Sequence, residues 1–149
     1  MADRSWKKWI FPVLTAAMIA FIWGHSMMPG ELSSDESGWV SDVLRFIFRL
    51  EGRDIEDVVR KCAHFIEYMV LGILITIDTC ALFGRPFKLA NFEAGLLVSL
   101  VDETIQLFSF GRNGSIFDIW LDFAGFVTGL VCSVIIYGIV TNKIKIFNK

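Results

Sequence analysis

Apolar residues gather into long runs separated by short polar interruptions. The runs Trp9–Met28, Cys62–Phe83, Ala90–Phe110 and Ile116–Val140 each reach the length of about 20 residues that a helix needs to cross about 30 Å of hydrocarbon. They are designated TM1 to TM4. Between TM1 and TM2 the pattern changes. Trp39, Val40, Val43, Leu44, Ile47 and Leu50 recur at helical spacing, with Ser41, Asp42, Arg45 and Arg49 on the other face and a Ser33/Glu36 capping box ahead of them. Residues 36–50 therefore read as an amphipathic helix lying on the membrane surface or packed over the bundle as a lid; the two roles are compatible. Gly111-Arg112-Asn113-Gly114 makes TM3 and TM4 an antiparallel hairpin. Gly125 and Gly129 form a small-xxx-small pattern suited to close helix approach, within the chain rather than between chains. The predicted fold is an all-α membrane protein. It is a four-helix transmembrane bundle in one domain, residues 1–149, with an extracytoplasmic amphipathic helix between TM1 and TM2.

Composition agrees with a bilayer as solvent, since 54% of the 149 residues are hydrophobic, above the share usual for a soluble domain of this size. Arg4, Lys7 and Lys8 precede TM1, but its apolar run is long and ends in HSMMPG with no small-x-small cleavage site, so it is expected to be retained rather than removed as a signal peptide. Arg85, Lys88, Lys143, Lys145 and Lys149 fall on the side of Arg4, Lys7 and Lys8, so both termini are expected in the cytoplasm. The net charge of -2 provides no basic face for nucleic acid. Cys62, Cys80 and Cys132 are scattered through apolar runs, which makes them structural thiols rather than a disulfide framework or zinc site.

The polar residues inside these runs carry the functional signal. In KCAHFIEYMVLG, the residues Lys61, His64, Glu67 and Tyr68 open TM2. His25 and Ser26 close TM1, Asp102, Glu103 and Gln106 lie toward the end of TM3, and Asp118 and Asp122 begin TM4. With the termini inside, all fall in one layer near the outer surface. His64 with Glu67 and Tyr68, Asp102 with Gln106, Glu103 with Gln106, and Asp118 with Asp122 share helix faces. A charge turned to lipid costs about 2.5–3.5 kcal/mol, so these faces should point inward and line a pocket open to the outside. Asp78 stands apart, deeper in TM2.

The candidate pocket is His25, Ser26, Lys61, His64, Glu67, Tyr68, Asp102, Glu103, Gln106, Arg112, Asp118 and Asp122. Glu67, Asp102, Glu103, Asp118 and Asp122 are five carboxylates against Lys61, Arg112 and the two histidines, so crowding should raise some carboxylate pKa values or recruit a cation. No HExxH or comparable ligand motif occurs. No cofactor and no metal is the expectation, with a divalent metal left open by the His and carboxylate donors. Glu67, His64 and Glu103 suit general acid-base work, while Ser26 or Ser115 lacks a nucleophile motif such as GxSxG.

The run KCAHFIEYMVLG, DETIQLF with GRNGSIFDIWLDFAG, and WGHSMMPGELSSDES after TM1 together resemble the VanZ-like family of bacterial membrane proteins. The resemblance spans TM1 to TM4 and covers Lys61, His64, Glu67, Tyr68, Asp102, Glu103, Gln106, Arg112, Asp118 and Gly125. It implies a bacterial plasma membrane location and an association with low-level resistance to the lipoglycopeptide teicoplanin, without supplying a reaction. The function expected first is binding or protection of a membrane lipid, a lipid-linked cell-wall precursor or a lipoglycopeptide near the outer leaflet. Arg112 and Lys61 would meet an anionic headgroup, and Glu67 and Glu103 hydroxyls or amines. An enzyme acting on such a lipid through Glu67 or Glu103 with His64 is the alternative, and proton or cation transport ranks third. Oligomeric state is not legible.

Overall fold

A computed structural model describes residues 7–27, 53–109 and 115–147, with side chains over 9–27, 57–109 and 115–142. The predicted surface helix 36–50, the GRNG turn, Met28 and Phe110 lie outside the described residues. The described chain forms helices α1 (Lys7–Ser26), α2 (Arg53–Phe83), α3 (Leu89–Phe108) and α4 (Ile116–Phe147).

Two helices outgrow the apolar runs that predicted them. α2 begins at Arg53 rather than Cys62, because no glycine or proline lies between Gly52 and Cys62 and Val59 continues the buried face. α4 continues past Val140 to Phe147. With 31 and 32 residues, these helices are about 46–48 Å long, more than a hydrocarbon core requires. Three helices are long and apolar enough to cross a membrane, through Trp9–Ser26, Asp57–Phe83 and Ile116–Asn142. The predicted TM3 forms as α3 but is not one of these three, and it carries Glu93, Asp102 and Glu103 within its 20 residues.

Contacts fix the directions. Gly125 meets the backbone of Phe65 and Gly129 that of Met69, so α2 and α4 run parallel, and their packing is the most extensive in the bundle. Trp23 Nε1 donates to the Val98 carbonyl at 3.5 Å, and Ser109 Oγ to that of Ser26 at 2.9 Å, so α1 runs parallel to α3. Thr15 Oγ1 donates to Asp78 Oδ2 at 2.6 Å, which sets α1 antiparallel to α2. The α2–α3 turn is made by Gly84, whose φ of 68° belongs to the left-handed region and whose N–H bonds the Cys80 carbonyl at 2.9 Å, closing α2 as a glycine C-cap does.

Helix association in lipid draws on close packing and polar contacts rather than on hiding apolar area. The small residues Gly72, Gly125 and Gly129 bring the α2 and α4 backbones together, confirming that this glycine stripe works within the chain. Ile22, Tyr68, Leu71, Val98, Phe126 and Leu130 form the core. Large apolar side chains such as Leu14, Phe21, Ile66, Leu97 and Ile136 are exposed, as a lipid-facing surface requires. Aromatic residues gather toward each end: Trp9, Phe83, Phe87 and Tyr137 at one, Phe108, Phe117 and Trp120 at the other. That is the arrangement of a membrane-interface belt.

Candidate functional site

All the polar faces read from the sequence meet at the second of these ends. α1 brings His25 and Ser26 in its last turn, α2 brings Lys61, His64, Glu67 and Tyr68, α3 brings Asp102, Glu103 and Gln106, and α4 brings Asp118 and Asp122. Ser26, Tyr68 and Asp102 have no exposed surface, Asp122 is 2% exposed, and His64, Glu103 and Gln106 are also buried. Arg112 lies outside the described residues.

Glu67 stands between two imidazoles. Its Oε1 is 3.1 Å from Nδ1 of His25 and its Oε2 is 3.6 Å from Nδ1 of His64. The two rings stack, with centroids 5.7 Å apart and planes 14° from parallel. His64 Nδ1 is also 3.8 Å from Oδ2 of Asp102. That carboxylate accepts a hydrogen bond from Gln106 Nε2 at 3.1 Å, realising the shared face predicted on α3. Gln106 Nε2 reaches the Ser26 hydroxyl at 3.4 Å, which ties α1 to α3. Among the described residues, the Tyr68 hydroxyl, Asp102 Oδ1, Glu103 Oε2 and Glu67 Oε2 are buried with no hydrogen-bond partner. Burying a carboxylate oxygen without a partner is costly.

Two predicted pairings take another form. Glu103 shares a helix face with Gln106, yet its Oε1 accepts the backbone N–H of Ser115, so it fastens the start of α4 to α3. Asp118 lies nearer the mouth than Asp122 and pairs with Lys61, Nζ to Oδ1 at 3.0 Å; Lys61 also covers the Phe117 ring. Ser115 Oγ accepts the Phe117 N–H at 3.2 Å. That bond makes it the N-cap of α4, not a nucleophile.

A small cavity opens beside this layer, lined by Arg60, Lys61, His64, Gln106, Asp118, Leu121 and Asp122, with about 240 Å³ of empty space including its mouth. Arg60 lines the cavity although it precedes the predicted TM2 and is absent from the candidate pocket; its place four residues before His64, on the same helical face, is the signal that points to it. Asp78, read as isolated, is held by Thr15. Close by, Thr79 donates to Asn91 Oδ1 at 3.2 Å, so a second polar group lies toward the other end of the bundle. Its signal was a threonine and an asparagine within apolar runs.

Residues 11–137 match the model of the VanZ/LLP1 family. The chain belongs to that family. The match takes in every helix of the bundle and all the candidate pocket residues, so the polar layer is part of the VanZ/LLP1 domain rather than an addition to it. No curated protein and no solved structure gave a match.

Proposed function

We propose that this VanZ/LLP1 protein sits in the bacterial plasma membrane with both termini in the cytoplasm, and that its polar layer is an outward-facing site for a lipid-linked component of the cell envelope. Binding there would shield the component from a lipoglycopeptide such as teicoplanin. The observation that carries this reading is the convergence of His25, His64, Glu67, Asp102 and Asp122 from four helices beneath a cavity whose mouth holds Arg60 and Lys61. Cations at the mouth suit a phosphate at headgroup level, and carboxylates below suit the hydroxyls and amines of an attached sugar or peptide.

α3 serves as the fourth span in this arrangement. Because α2 and α4 run parallel, the chain must return between them, and the 20 residues of α3 supply about 30 Å. Of its carboxylates, Asp102 and Glu103 are buried within the bundle and Glu93 falls near the opposite end, so none of the three meets lipid at mid-depth.

The test is lipid capture. Protein reconstituted in nanodiscs is incubated with envelope lipid extract, and the retained lipids are identified by mass spectrometry. The wild type should enrich a polyprenyl-phosphate-linked lipid, and Glu67→Gln and Lys61→Met should retain about tenfold less or lower. In a sensitive Gram-positive host, the same variants at equal expression should lose any gain in teicoplanin tolerance. Equal lipid retention by wild type and both variants would defeat the reading.

The close His25–Glu67 pair also supports a second reading, in which a His-carboxylate dyad performs acid-base chemistry on the bound lipid. A modified lipid product that accumulates with wild type and vanishes with His25→Gln would establish it.

A further inference from the structure

His64, Asp102 and Asp122 each offer one ligand atom, and these atoms lie within 4.8 Å of one another. All three residues are buried, on three different helices. We propose that they hold a divalent transition cation, Zn²⁺ or Mn²⁺, at the floor of the polar layer.

The donor set is the first argument. One imidazole and two carboxylates are common ligands for these ions, whose bonds of about 2.0–2.2 Å place neighbouring ligand atoms about 3–3.5 Å apart. The observed spread of up to 4.8 Å exceeds that by little more than 1 Å. The second argument is the orphaned oxygens. Among the described residues Asp102 is wholly buried with Oδ1 unpartnered, and Tyr68, equally buried and one residue after Glu67 on α2, has an unpartnered hydroxyl. A cation among them gives both groups a partner. Third, Asp102 already has an outer support of the kind that orients metal ligands: Gln106 Nε2 holds Oδ2 at 3.1 Å, while Ser26 approaches the same carboxylate.

Charge balance points the same way. Glu67, Asp102 and Asp122 share the buried layer, while the nearest described cations are engaged nearer the mouth, Lys61 by Asp118 and Arg60 by Asp57. A divalent ion offsets this negative charge where bulk water is excluded. The cavity, lined by His64 and Asp122, provides the entry path.

The inference stands apart from lipid binding, and so does its test. Protein purified in detergent is stripped with EDTA, loaded separately with Zn²⁺, Mn²⁺ or Mg²⁺, desalted, and assayed for metal by mass spectrometry. About one Zn²⁺ or Mn²⁺ per chain should remain, with thermal stabilisation, and Mg²⁺ should wash out. Substituted Co²⁺ should give a visible d–d spectrum. His64→Gln and Asp102→Asn should each retain less than about a tenth of the wild-type metal, while Asp57→Asn retains it in full. Melting curves of the stripped proteins establish that the variants are folded. Retention by the wild type below about a tenth of an ion per chain, or equal retention by His64→Gln and Asp102→Asn, would overturn the assignment. Either result leaves lipid capture to be judged on its own.

Discussion

Gly129→Ala is the sharpest test of how the bundle is held. A Cβ at Gly129 would stand 2.8 Å from the Met69 carbonyl carbon, with the carbonyl oxygen closer still, where ordinary contact begins at 3.4 Å. The obstacle is helical backbone, which cannot swing aside as a side chain would. α2 and α4 would have to part by about 1 Å, and a gap of that size forfeits a quarter to a half of the dispersion attraction across it. In lipid no hydrophobic driving force compensates. Overpacking against backbone, which cannot give way, falls in the upper part of the usual range, about 2–3 kcal/mol, and the alanine recovers about 1 kcal/mol of helix propensity. The expected result is a net loss of about 1–2 kcal/mol, read as a melting temperature lowered by about 3–8 °C in detergent. Gly138→Ala is the internal control, because nothing lies within 4 Å of its Cβ position; it should be neutral or slightly stabilising. Should both variants melt together with the wild type, the close parallel packing of α2 on α4 would be refuted.

Ser115→Ala removes the side-chain cap of α4 while leaving the backbone N–H that Glu103 accepts, so it should cost about 1 kcal/mol in thermal unfolding. Glu103→Ala should cost more, about 2 kcal/mol, because it strips a carboxylate acceptor from the half-buried Ser115 amide. On the proposed topology a reporter fused after Lys149 should read as cytoplasmic, like one fused before Met1, since four spans would return the chain to its starting side; opposite readings would mean that α3 does not cross.

The helices and their order were legible because each apolar run is long enough to declare itself, and the polar layer because ionisable residues stand out against such runs. What escaped the sequence was pairing. Helical spacing places Glu103 beside Gln106, but whether a carboxylate turns along its own helix or across to the next depends on where Ser115 arrives, and that is a tertiary fact. The same holds for Asp78, whose partner Thr15 is 63 positions away. Helix ends were misjudged for a different reason. Hydropathy marks where lipid begins and ends, whereas α2 and α4 continue as helices beyond that boundary, since backbone hydrogen bonding does not stop where the lipid does.

The distribution of polarity along the bundle also separates a pocket from a passage. Descending from the polar layer, each helix contributes an apolar residue to the next level: Ile22 after His25 and Ser26, Leu71 after His64 and Glu67, Val98 after Asp102, Phe126 after Asp122. All are buried and in one cluster, with Leu130 beneath. The polar contacts of Thr15 with Asp78 and of Thr79 with Asn91 lie on the far side of that cluster. Along α2, Glu67 and Asp78 are about 16 Å apart at 1.5 Å per residue, a distance no single side-chain rotation spans. An ion or proton moving through would have to leave its ligands and cross packed hydrocarbon, which the low dielectric there opposes. Among the described residues, then, a packed apolar cluster separates the polar layer from the contacts of Thr15 and Thr79, which is the arrangement that the proposed binding site requires and a passage does not.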